Sequence, residues 1–244
     1  PTRPLRPGRE PFEFLINSVE TFLLSDRQCF ALLDWVGERP QNGQVLRAFL
    51  ASIAFAALRP AEALALRVRD TELPDDGTGF LLVHPQGQMR SAEETGRVAE
   101  ARRVPACPDL VALLQAEIAR RDLGPDDAVF TCEDGRPLPD AVYRRVWRQA
   151  RAAVLESDEI DSPLGRRVSD LRTACIAAWL RNGDQSAAHV VMVAECADLT
   201  ASRIAERFSH CLRRPKPTEI PWDRLEVAQC LPAPQSDLMT AARR

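Results

Sequence analysis

"SDLRTACIAAWLRNG", Ser169–Gly183, places an arginine in the first turn of a helical pattern, and the reading of that arginine decides the fold. Ser169 reads as the N-cap, Arg172 stands three residues on, and Gly183 reads as the stop. A second arginine sits in a similar setting upstream, in "ALRPAEALALRVRD", Ala57–Asp70. There Arg59 follows an apolar run and precedes Pro60, a residue suited to the first turn of a helix. Downstream, "LTASRIAERFSH", Leu199–His210, reads as an exposed helix with an arginine-rich face that ends in Phe208.

Working outward, the pattern is mostly helical. "SDRQCFALLDWVGE" (25–38) has a Ser25 cap and apolar residues at helical spacing. "GQVLRAFLASIAFAAL" (43–58) is apolar nearly all round, which predicts a buried helix. Helices are also expected at 60–68, 107–122, 140–156, 169–183 and 185–196. Asp76-Gly77 signals a turn before a short apolar strand at 79–83, with "ARRVPA" (101–106) as its partner. The expectation is a mainly α fold with a small antiparallel β-sheet. Residues 1–24 read as a tail, 25–212 as one domain, and the Pro-rich 213–244 as an extended C-terminal tail.

Composition narrows the function classes. The 244 residues are 45% apolar, enough for a real core, and the formal charge is −3. A dedicated nucleic-acid binder is usually basic, so the bulk charge argues mildly against strong DNA affinity. Local patches can override it: the 140–156 helix carries Arg144, Arg145, Arg148 and Arg151. Seven cysteines without a C-x-x-C pair suggest reduced thiols in a cytoplasmic protein. His84, His189 and His210 are scattered with no ligand spacing, so neither metal nor cofactor is expected. No apolar segment is long enough for a membrane helix, and no signal peptide is read at the N-terminus.

The two arginine motifs, with "RRVPACPDLVALL" (102–114) and "VAECADLTASRIAERFSH" (193–210), resemble the catalytic domain of the tyrosine recombinase (phage integrase) family, in its actinobacterial form. The resemblance runs from about Ser25 to His210 and implies that family's fold. It also implies its chemistry. A tyrosine hydroxyl attacks a DNA phosphodiester, and two arginines hold the non-bridging oxygens. A hairpin lysine protonates the leaving oxygen, and histidine-type residues assist. The covalent intermediate conserves the bond energy, so no cofactor is needed.

Carried over residue by residue, the resemblance puts the arginines at Arg59 and Arg172, with Glu62 as the acidic residue behind the first. The histidine three before the second arginine becomes Ser169. The Gly-His pair becomes Ala197-Asp198, and the nucleophilic tyrosine becomes Phe208. The hairpin lysine falls near Glu94, and the chain has no lysine before Lys216. Tyr143, the only tyrosine, lies on another helix. A single engineered exchange would alter one position, and here four depart together. Asp198 would also set a carboxylate against phosphate, a repulsion of roughly 4 kcal/mol at ~4 Å and an effective dielectric near 20.

The expectation is therefore a catalytically inactive relative that binds double-stranded DNA weakly through Arg59, Arg172, Arg144, Arg145 and Arg148. The same expectation includes action on active recombinases, or self-association through the tail after 213. The alternative is a protein-interaction module that has left DNA. Arg59 has a further reading, a structural pairing with Glu62 or Asp170. Asp198 reads as a cap for the next helix or as a salt bridge to an active-site arginine, and Phe208 as a core residue. The family's separate DNA-clamping domain is not expected within residues 1–24.

Overall fold

Helical spacing and caps set the first elements of the computed structural model, which describes residues 22–85, 101–184 and 186–212. Helix α1 (Asp26–Gly37) starts at Ser25, whose Oγ accepts from the Gln28 N–H while the Gln28 side chain accepts from the Ser25 N–H. Helix α2 (Gly43–Ala56) is buried along most of its length, as its apolar sequence requires. It ends at Ala57 in the left-handed region, φ 48°. The chain then turns into α3 (Pro60–Ala65), a helix of six residues opened by the Arg59 N–H bond to Glu62 Oε2 at 2.7 Å.

Three short strands follow, in the order β1 (Thr71–Glu72), β2 (Gly79–Val83), β3 (Arg102–Ala106), all antiparallel. Leu81 pairs with Val104, so both fill the core face. Gly79 is required by packing, since a Cβ there would meet the Glu72 carbonyl and Val111. Helices α4 (Pro108–Arg121), α5 (Asp140–Val154), α6 (Ser157–Asp161), α7 (Ser169–Asn182), α8 (Ala187–Cys196) and α9 (Ala201–Arg207) complete the described elements. The expected helices and the β2–β3 pair are present. Strand β1, helix α6 and the 3-10 turns Val68–Asp70 and Ser209–Cys211 were not read from the sequence.

Helix α2 is the hub and packs on α1, α4 and α7. The larger apolar cluster gathers around it, with Phe49, Phe130 and Trp147 fully enclosed. A second cluster lies where α7, α8 and α9 meet and holds Ile176, Leu180, Val193, Ile204 and Phe208. The chain divides into two units, Pro1–Leu212 and Arg213–Arg244, and every described residue belongs to the first. Glu94, Lys216 and the expected C-terminal tail lie outside the described residues, as does most of the expected N-terminal tail. Among the described residues no helix is long and apolar enough to cross a membrane.

Candidate nucleic-acid interface

The fold brings Arg59, Arg172 and Asp198 together from three elements. Arg59 stands at the start of α3, Arg172 in the first turn of α7, and Asp198 in the turn between α8 and α9. Glu62 holds Arg59 from its buried side. It is 5% exposed and takes a two-pronged contact from Arg102 of β3, at 2.9 and 2.7 Å. Burial works against the Glu62 carboxylate. The Arg102 fork, the Arg59 N–H and the Arg59 guanidinium outweigh it and hold the carboxyl below its usual range. Arg102 also donates from Nε to the Cys196 carbonyl at 3.1 Å, which ties α3, β3 and α8 into one frame.

Arg59 donates from Nη1 to Glu62 Oε1 at 2.8 Å and to Asp198 Oδ2 at 2.6 Å, and from Nη2 to the Asp198 carbonyl at 3.1 Å. Burial opposes its charge, but the hydrogen bonds to Asp198 and Glu62 raise its pKa above the ordinary arginine value. Arg172 is 9% exposed and donates to the main-chain carbonyls of Ala57 and Ala197. Burial, followed by the like charges of Arg59 and Arg102, lowers its pKa to about 10, so it stays protonated at neutral pH. Thus the guanidinium donors the resemblance assigns to phosphate are engaged by the chain itself.

The strengths of these contacts differ. The Glu62–Arg102 pair has side chains 3% and 16% exposed, and removing one partner of such a pair costs about 3–5 kcal/mol. The Arg59–Asp198 pair is 42% and 60% exposed and is worth about 0–1 kcal/mol. The frame is firm, and the acidic cover over Arg59 is easily displaced.

The Arg59–Glu62 pairing, the Asp198 salt bridge to an active-site arginine and the buried Phe208 stand as read, and several other expectations need correction. Ser169 is not the N-cap of α7. Val168 already has helical dihedrals, so the helix begins one residue earlier than the cap reading assumes, and Asp170 accepts from the Arg167 N–H instead. Arg59 therefore pairs with Glu62 and Asp198, not with Asp170. Asp198 does not cap α9. It sits at φ 47°, facing Arg59, and Thr200 caps the helix by accepting from the Arg203 N–H at 3.2 Å. Helix α9 stops at Arg207, and Phe208, 2% exposed, turns into the second apolar cluster. Gly183 ends α7 in an extended conformation, and its lack of a side chain makes room for the His189 ring.

Helix α5 splits its arginines. Arg144 and Arg148 line a cleft of about 570 Å³ with Arg166, Arg167 and Ser169. Arg145 faces a different, mixed-charge hollow with Arg136, Glu133 and Asp134. Arg151 is not part of a basic face: it is 8% exposed and donates to the carbonyls of Leu164, Ile160 and Ser162. Tyr143 is 3% exposed, and burial raises its pKa, which disfavours it as a substitute nucleophile. The sequence reading did not single out Arg102, Arg166 or Arg167. Their signals were the paired arginines at the start of "RRVPA" and in "GRRV". The three histidines do not converge. His84 meets Asp70 at 2.9 Å, while His189 meets the Trp179 carbonyl at 3.0 Å. His210 lies beside the Phe208 ring.

No protein-family model matches the chain, and no curated protein matches it. Solved structures do. The chain is similar to the XerH site-specific recombinase bound to difH substrate in a pre-cleavage complex, at 16% identity and TM-score 0.57, over 76% of this chain and 50% of that one. It is similar to XerA recombinase at 15% identity and TM-score 0.54, over 95% and 67% of the two chains. It is similar to the Tn1549 transposon integrase in complex with transposon right end DNA, at 12% identity and TM-score 0.56, over 84% and 66%. The chain spans about half the length of the XerH structures it matches. The fold is that of the tyrosine recombinase catalytic domain, mainly α with a small antiparallel sheet. At these identities the likeness establishes the fold and assigns no residue a role.

Proposed function

We propose that this chain is an integrase-like protein that binds DNA without cutting it. The observation that carries the reading is Phe208, which stands where the resemblance puts the nucleophile and is 2% exposed with no hydroxyl. The engaged state of Arg59 and Arg172 supports the same loss of chemistry. DNA binding draws its support from the arginines of α5 that remain open to solvent, Arg144, Arg145 and Arg148. In structures of this fold XerH is seen bound to difH substrate and the Tn1549 integrase in complex with transposon right end DNA. In this reading the protein works in the cytoplasm and regulates recombination or integration, by occupying DNA sites or by joining active recombinases. The 213–244 segment is the candidate for self-association.

Incubation of the chain with nicked duplexes of mixed sequence tests the reading. A retarded complex on a native gel and no covalent adduct on a denaturing gel are expected. A covalent adduct overturns it. The second reading, a protein-interaction module that has left DNA, is favoured by one observation, the Asp198 carboxylate placed over Arg59. Absence of any retarded complex at low salt would favour that module.

A further inference from the structure

We propose that the cleft between α5, the turn at 163–168 and the start of α7 is a phosphate-ester site, with Arg148, Arg166 and Arg167 as its anion donors. Naming DNA as the source of that phosphate rests on the reading above; the anion site rests on the following geometry. The cleft measures about 570 Å³, within the range of small-ligand sites and large enough for more than one phosphate group. Arg144, Arg148, Arg166 and Arg167 all line it, and the exposed Ser169 adds a hydroxyl. Among the described residues no carboxylate side chain pairs with Arg148, Arg166 or Arg167. Arg144 pairs with Asp140 of its own helix at 2.8 Å and also meets the Tyr143 side chain. Some arginines elsewhere are matched, as Arg47 is with Asp34, Arg102 with Glu62, and Arg120 with Glu117 and Glu133, while Arg145 faces the mixed-charge hollow and Arg203 and Arg207 lie exposed on α9. A recess that gathers four guanidinium groups, with Asp140 and Asp170 as the acids bonded to its lining residues, concentrates positive potential, and that potential is relieved by a bound anion.

The floor of the cleft is rigid. Trp147 donates from Nε1 to the Gly165 carbonyl at 2.8 Å, and Arg151 donates from Nε to the Leu164 carbonyl at 2.9 Å. The Arg166 N–H bonds the Pro163 carbonyl at 3.2 Å, and the Arg167 N–H bonds Asp170 Oδ2 at 2.8 Å. Gly165 holds φ +56°, with Leu24 packed where a Cβ would project. The backbone under Arg166 and Arg167 is therefore fixed while their side chains stay exposed, which lowers the ordering cost of anion capture. At the neighbouring pair the situation is reversed, because the donors of Arg59 and Arg172 already face Asp198 and main-chain carbonyls. The donors of the cleft that begins beside Pro60 are thus more open to a bound anion than those of that pair.

The test titrates the full chain with inorganic tripolyphosphate by calorimetry, and separately with a mixed-sequence duplex by fluorescence anisotropy. The cleft variants are Arg148→Gln and the double change Arg166→Gln with Arg167→Gln. Arg203→Gln with Arg207→Gln removes the same charge from exposed positions on α9 and serves as the control. Thermal melts establish that each variant folds. The double cleft variant is expected to bind tripolyphosphate about tenfold or more weakly, with the control within about twofold of the natural chain. Failure of the natural chain to bind tripolyphosphate overturns the site, as does an equal loss in control and cleft variants. Tripolyphosphate binding that depends on the cleft, without duplex binding, upholds the site and removes DNA as its ligand.

Discussion

Asp198 carries two consequences at the scale of single residues. Its carboxylate sits 2.6 Å from Arg59, yet the pair is exposed enough to contribute only about 0–1 kcal/mol. Replacing Asp198 with Asn removes both the competitor and a negative charge facing the duplex. Duplex affinity at low salt should then rise about fivefold, with a salt slope steeper by about one, read by anisotropy. No change would mean that Arg59 never reaches phosphate. Phe208 gives a second expectation. Phe208→Tyr should restore no covalent DNA adduct, because the side chain there is 2% exposed and the surrounding donors are engaged. It should instead cost about 1–3 kcal/mol of stability, seen as a lower Tm, as the hydroxyl is buried in an apolar cluster. Arg172→Ala tests folding more than binding, since it strips two buried carbonyls of their donor.

At the scale of elements, the frame of α3, β3 and α8 depends on Glu62. Its folded pKa lies below its unfolded value, so its contribution is full above the ordinary carboxylate range and fades as pH falls through the lower folded value. Glu62→Gln should therefore lose about 3–5 kcal/mol near neutral pH, and the gap to the natural chain should narrow in acid. Thermal melts from pH 7 to pH 3 measure it, and a gap that widens in acid contradicts the assignment. The elements themselves were largely legible, because caps such as Ser25 and apolar spacing are local signals. Tertiary placement was not. The pairing of Asp198 with an active-site arginine was legible only through the family resemblance, since no local pattern indicates that a residue at φ 47° will face an arginine 139 positions away. On α5, Arg144, Arg148 and Arg151 share one helical stripe, while Arg145 lies about 100° off it. The chain at 159–164 folds over the end of that stripe and buries Arg151, which no local pattern on the helix reveals.

At the scale of the whole molecule, a net charge of −3 coexists with a concentrated arginine cleft. Local potential and bulk charge make opposite claims about DNA, and salt dependence separates them, because phosphate contacts release counterions while an acidic surface repels the duplex. The decisive measurement is the affinity of the chain for a mixed-sequence duplex across roughly 50 to 200 mM salt. The account predicts measurable binding at the low end that weakens by about 10–100-fold at the high end, as a few phosphate contacts require. Absence of binding at the low end would contradict it and leave the protein-interaction module as the reading of this fold.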